Sequence, residues 1–243
     1  INKPLYKYWN YKFERYYLKY VDQVMVTANT DLQYLKEVYQ KFKNLKWNII
    51  YNYPYSLKKL ENVSHIHFNK NNIKIIYQGV LQKGRGIKLL LDVARFNKHI
   101  DAIIVGGGEH EEYYKQYSKK HNICNNVFFI DMVPYLELLN ITSHCDIGWA
   151  VITKQGLSNK FALPNKLFEY LMARLPVIGS DLPNIANVVM KYDVGKIVTN
   201  ISINTITKTV NDIYKNKGLY QYNAQIASQY FNWDAQHNQF MDI

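Results

Sequence analysis

Leu163-Pro164-Asn165-Lys166-Leu167-Phe168-Glu169-Tyr170-Leu171-Met172-Ala173-Arg174-Leu175-Pro176-Val177-Ile178-Gly179-Ser180-Asp181 reads as a short helix running into a buried strand. Pro164 suits the first helical position, and Pro176 stops the helix ahead of the strand Val177–Gly179. Leu163, Leu167 and Leu171 recur every four residues with Phe168 and Met172 beside them, so this stripe faces a core. Asn165, Lys166 and Glu169 fall at i, i+1 and i+4 on the other side. The helix therefore offers unbonded amides at its start, an ammonium and, one turn further in, a carboxylate. The first two suit a diphosphate, and the carboxylate can accept from both hydroxyls of a ribose diol. A Glu169 paired with Lys166 or Asn165 on a solvated face is the plainer alternative.

The same helix–strand alternation extends in both directions. Short apolar runs at Ile73–Tyr77, Ala102–Val105, Val127–Ile130, Asp146–Val151, Val177–Gly179 and Lys196–Val198 read as strands buried on both faces. Helical patterns at Ile87–Phe96, Glu111–His121, Tyr135–His144, Pro164–Arg174 and Asn184–Met190 separate them, and further helices follow at Ile203–Tyr214, Tyr220–Tyr230 and Trp233–Met241. This is the order of an α/β fold with a doubly wound parallel sheet, Rossmann-like in class. Upstream, a helix at Tyr6–Tyr20, a strand at Val24–Thr27, a helix at Leu32–Phe42 and a strand at Asn48–Tyr51 are too little to close a second sheet. The expected organisation is a partial domain over residues 1–52, a polar connector over 53–72, the main domain over 73–230 and a terminal crossover helix over 231–243.

Composition narrows the classes. With 48% hydrophobic and 15% aromatic residues the chain supports a packed core, and wholesale disorder is excluded. No apolar run reaches the roughly 18–20 residues that span a bilayer, and Ile1–Tyr20 is too charged and aromatic for a signal peptide. A chain that starts at Ile1 is expected to be processed or to be a piece of something longer. Cys124 and Cys145 make no disulfide framework or metal knuckle and are read as reduced thiols, which points to the cytoplasm. A formal charge of +11, from 30 Lys and Arg against 19 Asp and Glu, favours anionic partners without choosing among nucleotides, nucleic acid and an acidic membrane face. Lys3, Lys7, Lys12, Arg15 and Lys19 are interleaved with tyrosines and Trp9, so the first helix would suit an anionic membrane, or equally a domain whose remainder is absent.

Two further motifs sit on strand-to-helix turns. In Tyr77-Gln78-Gly79-Val80-Leu81-Gln82-Lys83-Gly84-Arg85-Gly86, glycines allow close backbone approach, and Lys83 and Arg85 bring positive charge to a helix start. It is no Walker loop, and taken alone a basic turn explains it as well. In Val105-Gly106-Gly107-Gly108-Glu109 the dinucleotide fingerprint would need a glycine where Glu111 stands, so a nicotinamide site is rejected. His99, His110, His121 and His144 show no metal spacing, and no nucleophile elbow, paired-carboxylate pattern or Asp-x-Asp occurs.

In register, Gly79…Arg85-Gly86, Gly106-x-Gly108, Asp146-Ile147-Gly148, Pro164-Asn165-Lys166…Glu169-Tyr170 and Pro176-Val177-Ile178-Gly179-Ser180-Asp181 resemble retaining glycosyltransferases of the GT-B fold, family four. Val21–Val26 and Ile49–Asn52 resemble the end of that family's N-terminal, acceptor-side domain, and Tyr230-Phe231-Asn232-Trp233 its final helices. The resemblance implies a sugar-nucleotide site in the C-terminal domain. Arg85 and Lys83, with the amides of Asn165, Lys166 and Leu167, would meet the diphosphate. Glu169, matching the second Glu of Glu-x7-Glu, would bind the ribose. Met132 and Val133 would meet the base through their backbone, and Gly79, Gly106 and Gly108 would line the cleft.

Three positions depart from the family pattern. Phe161 stands at the first Glu, Val80 at the Arg after the first glycine, and Tyr53 at the crossover glycine. The likeness is to polysaccharide-assembly members with a Pro-x-Lys version of the motif. It implies a UDP- or GDP-sugar donor, a glycan or lipid-linked acceptor, a bacterial surface polysaccharide such as capsule or lipopolysaccharide, and peripheral attachment to the cytoplasmic membrane face. It implies no metal or other cofactor, with the departing diphosphate balanced by Arg85, Lys166 and the helix start. The catalytic residues would lie mainly in the missing part of the N-terminal domain, leaving the isolated chain weakly active or inactive. A non-catalytic nucleotide-binding module, or one subunit of a split enzyme, stays open as the alternative. A nucleic-acid-binding protein is the weakest reading, since no recognised motif of that kind is present.

Overall fold

The computed structural model describes residues 4–42, 44–56, 71–154 and 156–242, with side chains from Trp9 onward. The chain forms two compact units, Ile1–Asn52 with Gln236–Ile243, and Tyr53–Ala235.

The larger unit carries six strands, β3 (Ile73–Gln78), β4 (Ile100–Val105), β5 (Val127–Ile130), β6 (Ile147–Ala150), β7 (Val177–Ser180) and β8 (Gly195–Val198). They form one sheet in the order β5-β4-β3-β6-β7-β8, and every pairing is parallel. Side chains alternate between two cores, as the two-residue period of a strand requires. Ile75 and Tyr77 enter one core with α3 (Ile87–Phe96), α4 (Glu111–Lys120) and α9 (Ile203–Lys215). Ile76 enters the other with α5 (Tyr135–Ser143), α7 (Asn165–Met172) and α8 (Pro183–Lys191). Helix α10 (Lys217–Ser228) gives Tyr220 to the first core and Ala224 and Ala227 to the second. Ser202 caps α9 by accepting from the Thr205 amide at 3.1 Å.

This topology fixes where a ligand can sit. From β3 the chain winds one way through β4 and β5, then crosses back to β6 and winds the other way. The carboxyl ends of β3 and β6 therefore flank the switch point, where open α/β sheets hold their ligands. Helix α7 is locked beneath that point. Tyr170 reaches the backbone oxygens of Ile76 on β3 at 3.1 Å and Trp149 on β6 at 3.3 Å. A Cβ on Gly148 would lie 2.4 Å from the Tyr170 ring, so the ring occupies the space that the glycine leaves.

The smaller unit holds α1 (Pro4–Tyr17), a 3-10 turn at Leu18–Tyr20, β1 (Gln23–Val26), α2 (Asn29–Val38) and β2 (Lys46–Ile49). Its two strands pair in parallel. The strand expected at Asn48–Tyr51 runs from Lys46, which pairs with Gln23, to Ile49, and beyond it Gln236 of α11 (Trp233–Met241) takes the Tyr51 backbone through both its amide oxygen and nitrogen. The connector expected at 53–72 lies mostly outside the described residues. Its first part, Tyr53, packs on Phe168 and Phe231 with ring centroids 4.8 and 5.5 Å away. Among the described residues no helix is long and apolar enough to cross a membrane.

Candidate functional site

Of the sequence-predicted residues, Gly79, Arg85, Gly106, Lys166 and Glu169 come together around the carboxyl end of β3. There Gly79 adopts a φ of +118°, which only glycine takes without strain, and an added Cβ would meet open space. The chain leaves the strand without a side chain in the way. Gly106 and Gly108 have a packing role that the sequence did not suggest. A Cβ at Gly106 would stand 2.3 Å from the Gly79 carbonyl oxygen, and one at Gly108 2.9 Å from Leu81 backbone atoms. Their missing side chains let the two loops pack together, which holds Gly79 in place.

Helix α7 begins at Asn165, one residue after Pro164. Asn165 is exposed. The Leu167 amide, expected to meet a ligand, instead donates to the Pro164 carbonyl at 2.9 Å, and the Leu167 side chain is fully buried. Asn165 and Lys166 remain as the amide donors of that first turn.

Lys166 does not lie on a solvated face. It is 9% exposed, and its ammonium sits 3.5 Å from the centroid of the Tyr77 ring. Burial, and then the nearby Arg85 guanidinium, hold its pKa well below the ordinary lysine value, while Glu169 pulls it up. Among the described residues no carboxylate or carbonyl is bonded to it, so a desolvated side-chain amine stands on α7 without a bonded anion. Arg85 is half-buried. Oriented so that its oxygen faces the guanidinium, the Gln82 amide accepts from both Nε and Nη2 of Arg85 at 2.9 Å. The loop is pinned to the end of β6 by Thr153, whose amide donates to the Gly84 carbonyl at 3.0 Å.

Glu169 stands one turn along α7 from Lys166 and is half-buried. Burial raises its pKa, while the Gln78 hydrogen bond and then Lys166 pull it down. Gln78 Nε2 donates to Glu169 Oε2, and Gln78 Oε1 accepts from Thr142 Oγ1 of α5 at 2.8 Å. Tyr135, at the start of α5, is near enough for the Glu169 charge to raise its phenol pKa, after burial as the larger cause. Sequence reading passed over Gln78, Tyr77 and Tyr135. A buried polar residue ending an apolar strand was the one available signal, and it belongs to Gln78. Lys83 and Met132 are exposed and take no part in these bonds, while Val133 is half-buried against the second core. Among the described residues no group of three or more His, Cys, Asp or Glu side chains is placed to hold a metal ion.

A six-stranded, doubly wound parallel sheet with helices on both faces is a Rossmann-like domain. The profile of the family described as glycosyl transferases group 1 matches residues 59–230, and the chain belongs to that family. No curated protein matches the sequence. Among solved structures, sucrose-phosphate synthase from Thermosynechococcus elongatus is similar with a TM-score of 0.74 at 18% identity, over 96% of this chain and 60% of that one. HepE from Anabaena, solved with UDP-glucose, gives 0.73 at 18% identity, over 91% and 63%. The pneumococcal O-GlcNAc transferase GtfA, solved with UDP and GlcNAc, gives 0.71 at 15% identity, over 93% and 46%. At these identities the likeness shows the fold, and the chain spans 46% to 63% of the length of the three.

Proposed function

We propose that this chain is the donor-binding part of a retaining glycosyltransferase of family four, taking a sugar from a nucleoside-diphosphate sugar. The observation that carries the reading is Lys166: a buried ammonium over an aromatic face, beside Arg85 and one turn from Glu169. Holding a cation in such a place is unfavourable unless an anion arrives. The diphosphate would lie against Lys166, Arg85 and the amides of Asn165 and Lys166, and the ribose against Glu169. As the glycosidic bond breaks, charge grows on the diphosphate oxygen. The same cations stabilise it, so the reading assigns that task to side chains rather than to a metal.

UDP is the first nucleotide to test, since HepE and GtfA were solved with UDP-containing ligands. The acceptor would be a glycan or lipid-linked saccharide of a surface polysaccharide, handled at the cytoplasmic membrane face. Trp9, Phe13 and Tyr16 of α1 are more than half exposed and, with Lys12, Arg15 and Lys19, line a groove of about 640 Å³, which supports contact with an anionic membrane. Among its described residues the smaller unit has a two-stranded sheet, so we expect this chain by itself to bind donor and to transfer sugar poorly.

Titration with UDP, GDP and a short oligonucleotide tests the reading. Nucleotide binding that falls about tenfold to a hundredfold in Glu169→Ala supports it, at the usual worth of a hydrogen bond to a charged group. Oligonucleotide binding that weakens steeply with salt, without a nucleotide effect, would replace it with nucleic-acid recognition.

A further inference from the structure

We propose that Gln78 is the positioning residue for Glu169, and that it turns one carboxylate oxygen toward the ribose and so makes the site selective for ribonucleotides over 2′-deoxyribonucleotides. The inference rests on the donor-binding reading above and deepens it.

Gln78 ends a strand whose preceding residues include Ile73, Ile75, Ile76 and Tyr77, and it is 1% exposed. An amide in such a place is unfavourable unless its donor and acceptor are both used. Both are: Nε2 donates to Glu169 Oε2, 91 residues away, and Oε1 accepts from Thr142, 64 residues away. One buried side chain thus ties the end of β3 to α5 and to α7. Gln78 uses one of the two lone pairs of Oε2 and fixes the direction of the carboxylate, so Glu169 Oε1 is the oxygen with both lone pairs left for a ligand, and among the described residues Gln78 supplies the one hydrogen bond given to this carboxylate. An oxygen with two lone pairs, fixed in direction, matches two neighbouring hydroxyls and is left half-used by one.

The hydrogens also set the direction of the chain of bonds. Thr142 has one hydroxyl hydrogen and two acceptors in reach, Gln78 Oε1 at 2.8 Å and the Leu138 carbonyl at 2.7 Å. With Glu169 ionised, Gln78 must present its nitrogen to the carboxylate and its oxygen to Thr142, and the hydroxyl hydrogen then belongs to Gln78. Reversing the amide would set its oxygen against the carboxylate. The amide can reverse only if Glu169 takes up a proton, so the arrangement favours the ionised, accepting state that a diol needs.

Affinities of the whole chain for UDP and 2′-deoxy-UDP, by calorimetry, test the inference; the guanosine pair is used if GDP is the nucleotide bound. Wild type should prefer the ribonucleotide by about tenfold to a hundredfold. Gln78→Leu should lower UDP affinity about tenfold, leave 2′-deoxy-UDP nearly unchanged and so cut the ratio about tenfold. In the Glu169→Gln background, Gln78→Leu should not change the ratio further. Thr142→Val removes only the hydroxyl that orients the amide, so it should cut the ratio by about threefold and serves as the test if Gln78→Leu does not fold. A folded Gln78→Leu or Thr142→Val protein with the wild-type ratio would overturn the role of Gln78 and leave the donor site standing. Wild type that binds neither nucleotide would overturn the donor-binding reading, and this inference with it.

Discussion

At the scale of a residue, Lys166 shows binding and stability pulling in opposite directions. Its charge is buried without a bonded anion among the described residues, so the folded chain bears a desolvation cost that the unfolded chain escapes. Lys166→Met keeps the apolar stem and removes the charge. It should raise stability by about 1–3 kcal/mol in urea denaturation. UDP affinity should fall by about tenfold or more in the same variant. The pH dependence has a defined sign. Burial sets the folded-state value of Lys166 below 10.5, so between that value and 10.5 the unfolded chain holds a proton that the folded chain lacks, and this contribution to stability rises with pH. Glu169 runs the other way. Its folded-state value lies above 4.5, so its contribution is present below 4.5 and is lost as pH climbs through the folded value. A diphosphate beside Lys166 favours the charged form and so raises its pKa, and at a pH where the free site has begun to lose that proton binding should take one up. Calorimetry in buffers of different ionisation enthalpy should register that uptake in wild type and not in Lys166→Met. Equal proton counts in the two would show that Lys166 is already charged before the ligand arrives.

At the scale of an element, α7 is held less by its helical propensity than by what it meets. Gly148→Ala would place a methyl group 2.4 Å from the Tyr170 ring and should cost about 2–3 kcal/mol, read from the urea midpoint. Tyr170→Phe loses the hydroxyl that reaches the Ile76 and Trp149 carbonyls and should cost about 1–2 kcal/mol. Away from the site, Ser202→Ala should cost about 1 kcal/mol by uncapping α9, with no change in nucleotide affinity. These elements also show what is legible in a sequence. The helices Ile87–Phe96 and Trp233–Met241 and the strand Val127–Ile130 fall where the pattern places them, because local punctuation marks their ends. Helix α7 stops at Met172, short of the Arg174 expected, because Arg174 takes a φ of +55° and Leu175 donates back to the Tyr170 carbonyl. Helix α2 starts at Asn29 where the pattern suggested Leu32, since its first turn is polar and carries no periodicity to read. The site is legible where residues share one motif, as Lys166 and Glu169 do. It is illegible where partners are distant, as Gln78 is from Thr142 and Glu169.

At the scale of the molecule, the division into two units makes a claim about where binding resides. Residues 53–235 contain every candidate site residue, a six-stranded sheet and helices on both of its faces. Each face of that sheet carries its own buried cluster, so the unit has what a domain needs to fold alone. Residues 1–52, with 236–243, have a two-stranded parallel sheet, and Phe13, Tyr16, Tyr17 and Tyr20 are each more than half exposed. So small a sheet is marginal without further partners. The excised segment 53–235 should therefore remain folded and bind UDP within about threefold of the whole chain, since no proposed ligand contact is removed. UDP at about a hundred times its dissociation constant should stabilise the segment and the whole chain alike, by about 2.7 kcal/mol. That figure is a shift in the urea transition of the larger unit, which tryptophan fluorescence from Trp149 can follow, because Trp149 is fully buried in its core. Loss of UDP binding in a segment that still unfolds cooperatively would move part of the donor site into residues 1–52 or 236–243. The tasks assigned above to Arg85, Lys166 and Glu169 would then have to be shared with groups outside the larger unit.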